Sequence, residues 1–181
     1  MTVLFVHGGG DQAYDWDRKV ADRLQQALGP VPQLVVPHLT GLEDLDWPAT
    51  ERQLGGMLRE LSSGAIVVAH SVGGSATLKL LAGGLDPKLR HLFLLAAPYN
   101  GADGEWGDDD FSFPANFAHN LPRGLPITLW HSRDDDIIPV DSAEHYRQKL
   151  SQGRVHLLDG YGHQFEGSLA FLAGAIHGAR T

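Results

Sequence analysis

The sequence predicts an α/β fold: a doubly wound, mainly parallel sheet of about six strands with helices on both faces. Two observations predict it. Short runs of continuous apolar residues recur along the chain, and such runs are typical of parallel strands that are buried on both faces. Between these runs, apolar residues recur at helical spacing, and strands that alternate with helices form parallel sheets. The predicted strands cover residues 3–6, 34–36, 65–69, 92–95, 127–130 and 155–158.

Four apolar stripes predict the helices that cover the two faces of this sheet. Their residues recur at intervals of three or four positions, so they share one side of a helix. Gly55 and Gly56 lie within the second stripe, where glycine weakens a helix interior. The stripes are Val20, Leu24, Ala27 and Leu28; Leu54, Met57, Leu58 and Leu61; Leu78, Leu81, Ala82 and Leu85; and Leu169, Leu172, Ala173 and Ile176.

One long segment, residues 99–123, shows neither pattern. It combines aromatic side chains with five carboxylates, and no lysine or arginine occurs in it before Arg123. Long loops in compact domains are usually functional or mobile, so we expect a short flap inserted in a single domain of residues 1–181. Its aromatic residues would line a substrate pocket, with core packing as the equal alternative. They are Trp106, Phe111, Phe113 and Phe117.

Ser71 follows the third predicted strand and precedes a helical stripe. A hydroxyl on a sharp turn from strand to helix requires very small residues two positions before and two positions after it. Ala69 and Gly73 meet that requirement, although the usual motif G-x-S-x-G has glycine where this chain has Ala69. The pattern predicts a nucleophilic serine. A serine that merely caps a helix is the alternative.

A glycine loop, His7-Gly8-Gly9-Gly10, follows the first predicted strand directly. Glycines let backbone N–H groups face a ligand without interference from side chains, so this loop can supply half of an oxyanion hole. The N–H of Val72, at the start of a helix, can supply the other half. A phosphate-binding loop is disfavoured because the G-x-G-x-x-G spacing and the P-loop lysine are both missing.

An acid and a base follow the last two predicted strands. Asp134, Asp135 and Asp136 come after the fifth strand, and His163 lies in a glycine-bracketed loop after the sixth. Ligands of doubly wound sheets bind at the carboxyl ends of the strands, where all these residues fall. The order along the chain is serine, aspartate, histidine.

With these residues in this order the chain resembles the alpha/beta-hydrolase superfamily, and more narrowly its small, lidless serine hydrolases of the retinoblastoma-binding-protein-9 type. The resemblance covers nearly the whole chain. It implies that Ser71 is the nucleophile, that Asp135 orients His163, and that His163 is the base. It also implies an oxyanion hole made by the amides of Gly9 and Val72.

The choice among the three aspartates also comes from the resemblance. In the family the acid usually lies four residues before the proline of a turn such as the one that ends at Pro139, which selects Asp135. Asp134 and Asp136 remain open as alternatives.

The expected reaction is hydrolysis of a carboxylic ester, or of a thioester or amide, with a small-molecule acyl substrate as the partner. Tyr14 and Trp16 follow the glycine loop and are candidates for the wall of the substrate pocket, with packing at the start of a helix as the alternative. A catalytically silent scaffold that binds a ligand, and an acyltransferase or perhydrolase with the same three residues, are the competing functions. The sequence does not indicate an oligomeric state.

Composition excludes several other classes of function. The formal net charge is −8 and the basic residues are scattered, which argues against a nucleic-acid partner. The chain has no cysteine, so a disulfide or a thiolate nucleophile is impossible and a reducing compartment is favoured. It has neither a basic leader nor an apolar run of about 18 residues, so we expect a cytoplasmic protein without a membrane span.

A metal site is the remaining alternative to a serine hydrolase site. His119, His131 and His156, with the acidic residues 108–110, would be its ligands, but no spacing comparable to H-E-x-x-H occurs. We therefore expect neither a metal nor another cofactor.

Overall fold

The computed structural model describes residues 2–104 and 110–180. Its strands are β1 Val3–Val6, β2 Leu34–Val35, β3 Ile66–His70, β4 His91–Leu95, β5 Ile127–Ser132 and β6 Gly153–Leu158. They form one sheet in the order β2-β1-β3-β4-β5-β6, and every neighbouring pair is parallel. The predicted fold class is therefore confirmed, including the number of strands among the described residues.

Helices cover both faces of the sheet. They are α1 Ala13–Leu28, α2 Thr40–Glu43, α3 Trp47–Glu60, α4 Val72–Ala82, α5 Phe117–Asn120, α6 Asp141–Lys149 and α7 Ala170–Ala179. The four predicted stripes coincide with α1, α3, α4 and α7, although Leu61, Leu85 and Leu169 lie just outside the helix ends, and α3 continues through both of its glycines. The helices α1 and α7 pack on one face, and α3, α4 and α6 pack on the other.

The central strand β3 explains why the apolar runs are continuous. All of its residues are buried, and successive side chains point to opposite faces of the sheet. Val67 and Ala69 therefore join the core cluster under α3 and α4, whereas Ile66 and Val68 join the cluster under α1 and α7. A strand with two buried faces cannot alternate with polar residues.

The order of the strands creates a crevice beside β1. The chain proceeds from β1 to β2 on one side and then to β3 on the other, so the loops after β1 and β3 leave the sheet next to each other. Val6 pairs with Ala69 in register, which brings the glycine loop alongside Ser71. Such a reversal in strand order is where doubly wound sheets bind their ligands.

The aromatic segment 99–123 contributes to the core in the part that the structure describes. Tyr99, Phe111, Phe113 and Phe117 all belong to the core cluster on the α4 face. Trp106 lies outside the described residues. That the segment acts as a flap in a single domain stays a prediction.

In the described parts of the chain, every helix is too short or too polar to cross a membrane.

Candidate active site

Ser71 lies on the sharp turn between β3 and α4. Its backbone angles are φ 50° and ψ −133°, a conformation that residues with side chains rarely adopt. Its N–H donates to the carbonyl of Leu95 on β4, at 2.8 Å, which holds the turn against the sheet. Gly73 is essential to this geometry because a Cβ atom there would lie 2.1 Å from the carbonyl oxygen of His7. A small residue is thus required at this position because α4 approaches the end of β1 closely.

The structure brings Ser71, His163 and Asp135 together in one relay. The Nε2 atom of His163 lies 3.1 Å from the Oγ atom of Ser71, within reach of a hydrogen bond from the hydroxyl. The other ring nitrogen, Nδ1, lies 2.9 Å from Oδ2 of Asp135 and donates to it. The carboxylate therefore fixes the tautomer in which Nε2 can accept a proton.

Asp135 is the aspartate that contacts His163, so the structure separates it from its two neighbours. Its side chain is 0% exposed, and its Oδ1 accepts the N–H groups of Ile137 at 2.9 Å and Ile138 at 2.8 Å. Burial alone would raise the pKa of Asp135. The hydrogen bond from His163 and the two amides outweigh that effect, and the pKa of Asp135 lies below its ordinary value.

The two other aspartates have different surroundings. Asp134 is exposed and accepts hydrogen bonds from the hydroxyl of Ser132 and from the N–H of Gly160, at 2.9 Å for the latter. It thereby ties the loop that carries His163 to the end of β5. Asp136 is exposed at the surface.

The glycine loop presents one free amide beside Ser71. The N–H of Gly8 donates to Asp17 at 2.6 Å, and the N–H of Gly10 donates to the carbonyl of Leu42 at 3.1 Å. The N–H of Gly9 has no hydrogen-bond partner within residues 2–104 and 110–180. Gly9 lies against Val72, since a Cβ atom on Gly9 would be 3.0 Å from the Cβ atom of Val72.

Val72 supplies the second amide. As the first residue of α4 it has no carbonyl four positions earlier within the helix to accept its N–H. The positive end of the helix dipole also favours negative charge at this point. Two N–H groups thus lie next to the Ser71 turn, as an oxyanion hole requires.

Tyr14 and Trp16 occupy different environments on α1. The ring of Tyr14 stacks on His38, with centroids 4.4 Å apart, and meets the edge of His7 at 5.4 Å. It therefore packs beside the glycine loop. Trp16 is 52% exposed and has the ammonium group of Lys19 4.6 Å from its ring centroid.

Phe111 and Phe113 belong to the core cluster on the α4 face, and Phe113 also lines two cavities at its edge, so a role of these rings in substrate binding stays a prediction. Phe111 is 2% exposed and meets Trp47 edge-on at 5.4 Å; Phe113 is 8% exposed and stacks on Phe117 at 4.4 Å. Burial of these rings against other apolar side chains accounts for their presence in an otherwise acidic segment. The third aromatic candidate, Trp106, lies outside the described residues.

The sequence interpretation missed an ion pair beneath the site. Asp17 on α1 and His70 at the end of β3 are 2.7 Å apart and each is 1% exposed. The sequence interpretation treated His70 as the variable residue of the serine turn. The missed signal lies on α1, where Asp17 precedes Val20 by three positions and Leu24 by seven, so that a carboxylate occupies the apolar stripe.

Leu45 is a second residue that the sequence did not single out. It follows α2, has φ 52°, and is 46% exposed. A Cβ atom on Gly9 would lie 2.7 Å from Cδ2 of Leu45, so this side chain covers the glycine loop. Nothing in the sequence pattern around it predicts that position.

Where the structure describes the chain, no group of three or more histidine, aspartate or glutamate side chains could hold an ion. His131 is buried and donates from Nε2 to the carbonyl of Ile138 at 2.8 Å, and burial lowers its pKa. Residues 108 and 109 of the weighed metal site lie outside the described parts.

Comparisons with solved structures agree with this architecture. The ydeN gene product from B. subtilis has a TM-score of 0.72 at 16% identity, with 99% of each chain covered. An esterase domain from a Rhodothermus marinus protein has a TM-score of 0.63 at 21% identity, over 99% of this chain and 86% of that one. A bromoperoxidase from Bacillus anthracis has a TM-score of 0.70 at 13% identity, over 99% and 91%.

These identities are low, so the likenesses show the fold alone. No curated protein was found to match the chain. The sequence model of the Alpha/beta hydrolase family, however, matches residues 3–175, which include the serine turn, the glycine loop and the relay. The chain therefore belongs to the alpha/beta hydrolase family.

Proposed function

We propose that the protein is a serine hydrolase that cleaves a carboxylic ester through an acyl-enzyme intermediate. The observation that carries the proposal is the relay from Asp135 through His163 to Ser71, with contacts of 2.9 Å and 3.1 Å. Thioesters and amides present the same acyl carbonyl and are the neighbouring substrate classes. Membership of a hydrolase family supports the same reaction type.

The first half of the reaction forms the acyl-enzyme. The Oγ atom of Ser71 attacks the acyl carbon while Nε2 of His163 takes the hydroxyl proton, and the carbonyl π electrons move to the oxygen. The amides of Gly9 and Val72 then donate to this oxyanion. When the carbonyl re-forms, the bond to the leaving oxygen breaks, and the leaving alkoxide receives the proton from His163.

The second half releases the acid. A water molecule gives a proton to Nε2 of His163 as its oxygen attacks the acyl carbon, and the same two amides stabilise the second oxyanion. The ester bond to Ser71 breaks, and His163 returns the proton to the serine oxygen. Asp135 stabilises the imidazolium that exists in both intermediates.

We also infer that the protein is of the small, lidless kind exemplified by the retinoblastoma-binding-protein-9 type. Three features support this finer assignment. The glycine loop follows the first strand of the sheet immediately, and all six strands of the described chain are parallel. Between β4 and β5, where a lid would be inserted, the described aromatic side chains pack into the core.

Labelling with a fluorophosphonate tests the proposal. A serine activated by a base displaces fluoride from phosphorus, so the wild type should be labelled and Ser71→Ala should not be labelled. Circular dichroism should show that the variant keeps its fold. A panel of p-nitrophenyl esters of graded chain length should then show turnover that Ser71→Ala lacks.

Three results would change the conclusion. Labelling that persists in Ser71→Ala would move the nucleophile to another serine. A folded wild type that is neither labelled nor active on any ester would favour the silent binding scaffold. Labelling together with faster transfer to an added alcohol or peroxide than to water would favour an acyltransferase or perhydrolase.

A further inference from the structure

A second acid–histidine pair, separate from the relay, lies directly beneath the site. Asp17 projects from α1 and His70 is the last residue of β3, immediately before Ser71. The Nδ1 atom of His70 is 2.7 Å from Oδ2 of Asp17, and each side chain is 1% exposed. Placing two charged groups in an apolar interior is costly, and a buried ion pair is weak support for stability. The pair therefore calls for another explanation.

Each member of the pair also holds a different catalytic loop. Oδ2 of Asp17 accepts the N–H of Gly8 at 2.6 Å, and the next residue, Gly9, carries the free amide of the glycine loop. The Nε2 atom of His70 lies 2.9 Å from the backbone carbonyl oxygen of His163. The rings of His70 and His163 are also in contact, with centroids 4.8 Å apart.

The partners of His70 define its protonation. One ring nitrogen faces the carboxyl group of Asp17, whose pKa is lowered, and the other faces a backbone carbonyl; the ionised carboxylate and the carbonyl both only accept, so both ring nitrogens carry protons. His70 is therefore an imidazolium that makes two charge-assisted hydrogen bonds. His7 provides a contrast, because its Nε2 accepts the N–H of Leu39 at 2.9 Å and its ring is neutral.

The surrounding charges agree with this protonation. Burial alone would lower the pKa of His70, but the charge and hydrogen bond of Asp17, together with the carbonyl of His163 and the charge of Asp135, outweigh burial and raise it. For Asp17, burial alone would raise the pKa, and His70 with the amide of Gly8 lowers it. The other titratable groups near His70 are Asp135, which favours its charged form, and the rings of His163 and His131.

We propose that Asp17 and His70 are positioning residues, which hold the glycine loop and the loop of His163 in register with Ser71. This inference rests on the proposed hydrolase function. The three reacting parts come from loops after β1, β3 and β6, and the buried pair is bonded to the first and the last of them. Because His70 directly precedes Ser71 in the chain, the pair ties both loops to the nucleophile.

Two substitutions test the proposal in the full-length protein. Asp17→Asn preserves size and one acceptor oxygen but removes the charge. His70→Gln keeps an amide that can donate to the carbonyl of His163 but removes the second donor. Misplacement of reacting groups by about 1 Å costs on the order of 100-fold in rate, so each variant should lose about 10- to 100-fold in kcat. KM should change by less than about 3-fold, because ground-state binding is not what the pair controls.

Ser75→Ala is the matched control. It removes a buried hydrogen bond from α4, the 2.7 Å bond to the carbonyl of Pro98, and should cost a comparable amount of thermal stability. The rate of fluorophosphonate labelling should stay at the wild-type value in this control and should fall in Asp17→Asn in proportion to kcat. A folded Asp17→Asn variant that is labelled at the wild-type rate would overturn the proposal.

A spectroscopic measurement keeps the proposal testable if the variants do not fold. In long-range ¹H–¹⁵N spectra of the wild type at neutral pH, one histidine should carry protons on both ring nitrogens, and His70→Gln should identify it. A wild-type His70 with a single ring proton would overturn the inference without touching the proposed function. An unlabelled Ser71 in a protein that shows the doubly protonated ring would instead refute the proposed function, and with it the positioning role.

Discussion

Ser71 and Leu45 both have a positive φ angle, 50° and 52°, for different reasons. The strain at Ser71 belongs to the turn that would expose the proposed nucleophile. Leu45 gains little from burial, since it is 46% exposed, so the energy of the fold does not explain why a large apolar residue is there. The contact of Leu45 with Gly9 places this side chain where the acyl group of a substrate would meet the glycine loop.

We expect Leu45→Gly to change substrate preference and leave stability nearly unchanged. Glycine relieves the left-handed strain but gains entropy in the unfolded chain, and these effects of about 1 kcal/mol oppose each other. Loss of the apolar contact should raise KM for long-chain p-nitrophenyl esters more than for the acetate, by up to about 10-fold. Val35→Ala, on the edge strand β2 and 45% exposed, is the control and should preserve the chain-length profile.

At Asp135 the prediction concerns kcat. Asparagine there no longer favours the tautomer that leaves Nε2 of His163 free, and in comparable relays this costs about 10⁴-fold. We expect Asp135→Asn to lose activity on that scale. Asp134→Asn should have a smaller effect through the loop of His163, and Asp136→Asn should have little effect. Steady-state kinetics of the three variants measure this, and equal mild effects would contradict the assignment.

At the scale of elements, the sequence could predict the elements whose residues are constrained by local sterics. The serine turn and the glycine loop require small residues at fixed positions, and continuous apolar runs define the strands, so these features are visible within a few residues. The pairing of Asp17 with His70 spans 53 positions and depends on how α1 packs on the sheet. The burial of Phe111 and Phe113 depends likewise on tertiary contacts that no short pattern encodes.

Gly73 and Gly56 both lie in helices, but only Gly73 is required to be glycine for steric reasons. A Cβ atom at Gly73 would lie 2.1 Å from a backbone oxygen, whereas a Cβ atom at Gly56 on α3 would meet nothing within 4 Å. We therefore expect Gly73→Ala to lower the free energy of unfolding by about 1–3 kcal/mol or more and to abolish labelling of Ser71. Gly56→Ala should raise it by about 0.5–1 kcal/mol. Urea denaturation measures both, and a stable, reactive Gly73→Ala variant would contradict the steric argument.

At the scale of the whole molecule, the two faces of the sheet have different parts in the site. The helix α4 on one face carries Val72 at its start, and α1 on the other face supplies Asp17 from beneath. The relay residues stand between them at the carboxyl ends of β3, β5 and β6. Because Asp17 is buried on the inner side of α1 and paired with His70, the free energy of unfolding of the whole protein depends on pH.

The sign of that dependence follows from the two pKa shifts. The pKa of Asp17 is lowered from 3.8, so its stabilising contribution is present above about pH 4 and is lost on acidification. The pKa of His70 is raised from 6.5, so its contribution is present below that pH and is lost as the pH rises toward the folded-state pKa. The pair thus stabilises the protein most between these two values.

We expect the wild type to lose stability relative to His70→Gln as the pH rises above 6.5. The unfolded chain releases the His70 proton there while the folded protein retains it, which costs up to about 1.4 kcal/mol per pH unit. In the folded protein burial lowers the pKa values of His7 and His131, and the charge of His70 lowers that of His131 further, so neither ring binds its proton more tightly on folding and the loss of stability above pH 6.5 comes from His70. Urea titrations between about pH 5 and 9 give this difference. A difference that stays constant across that range would mean that folded His70 is neutral, since only a proton bound more tightly in the folded state can produce the slope.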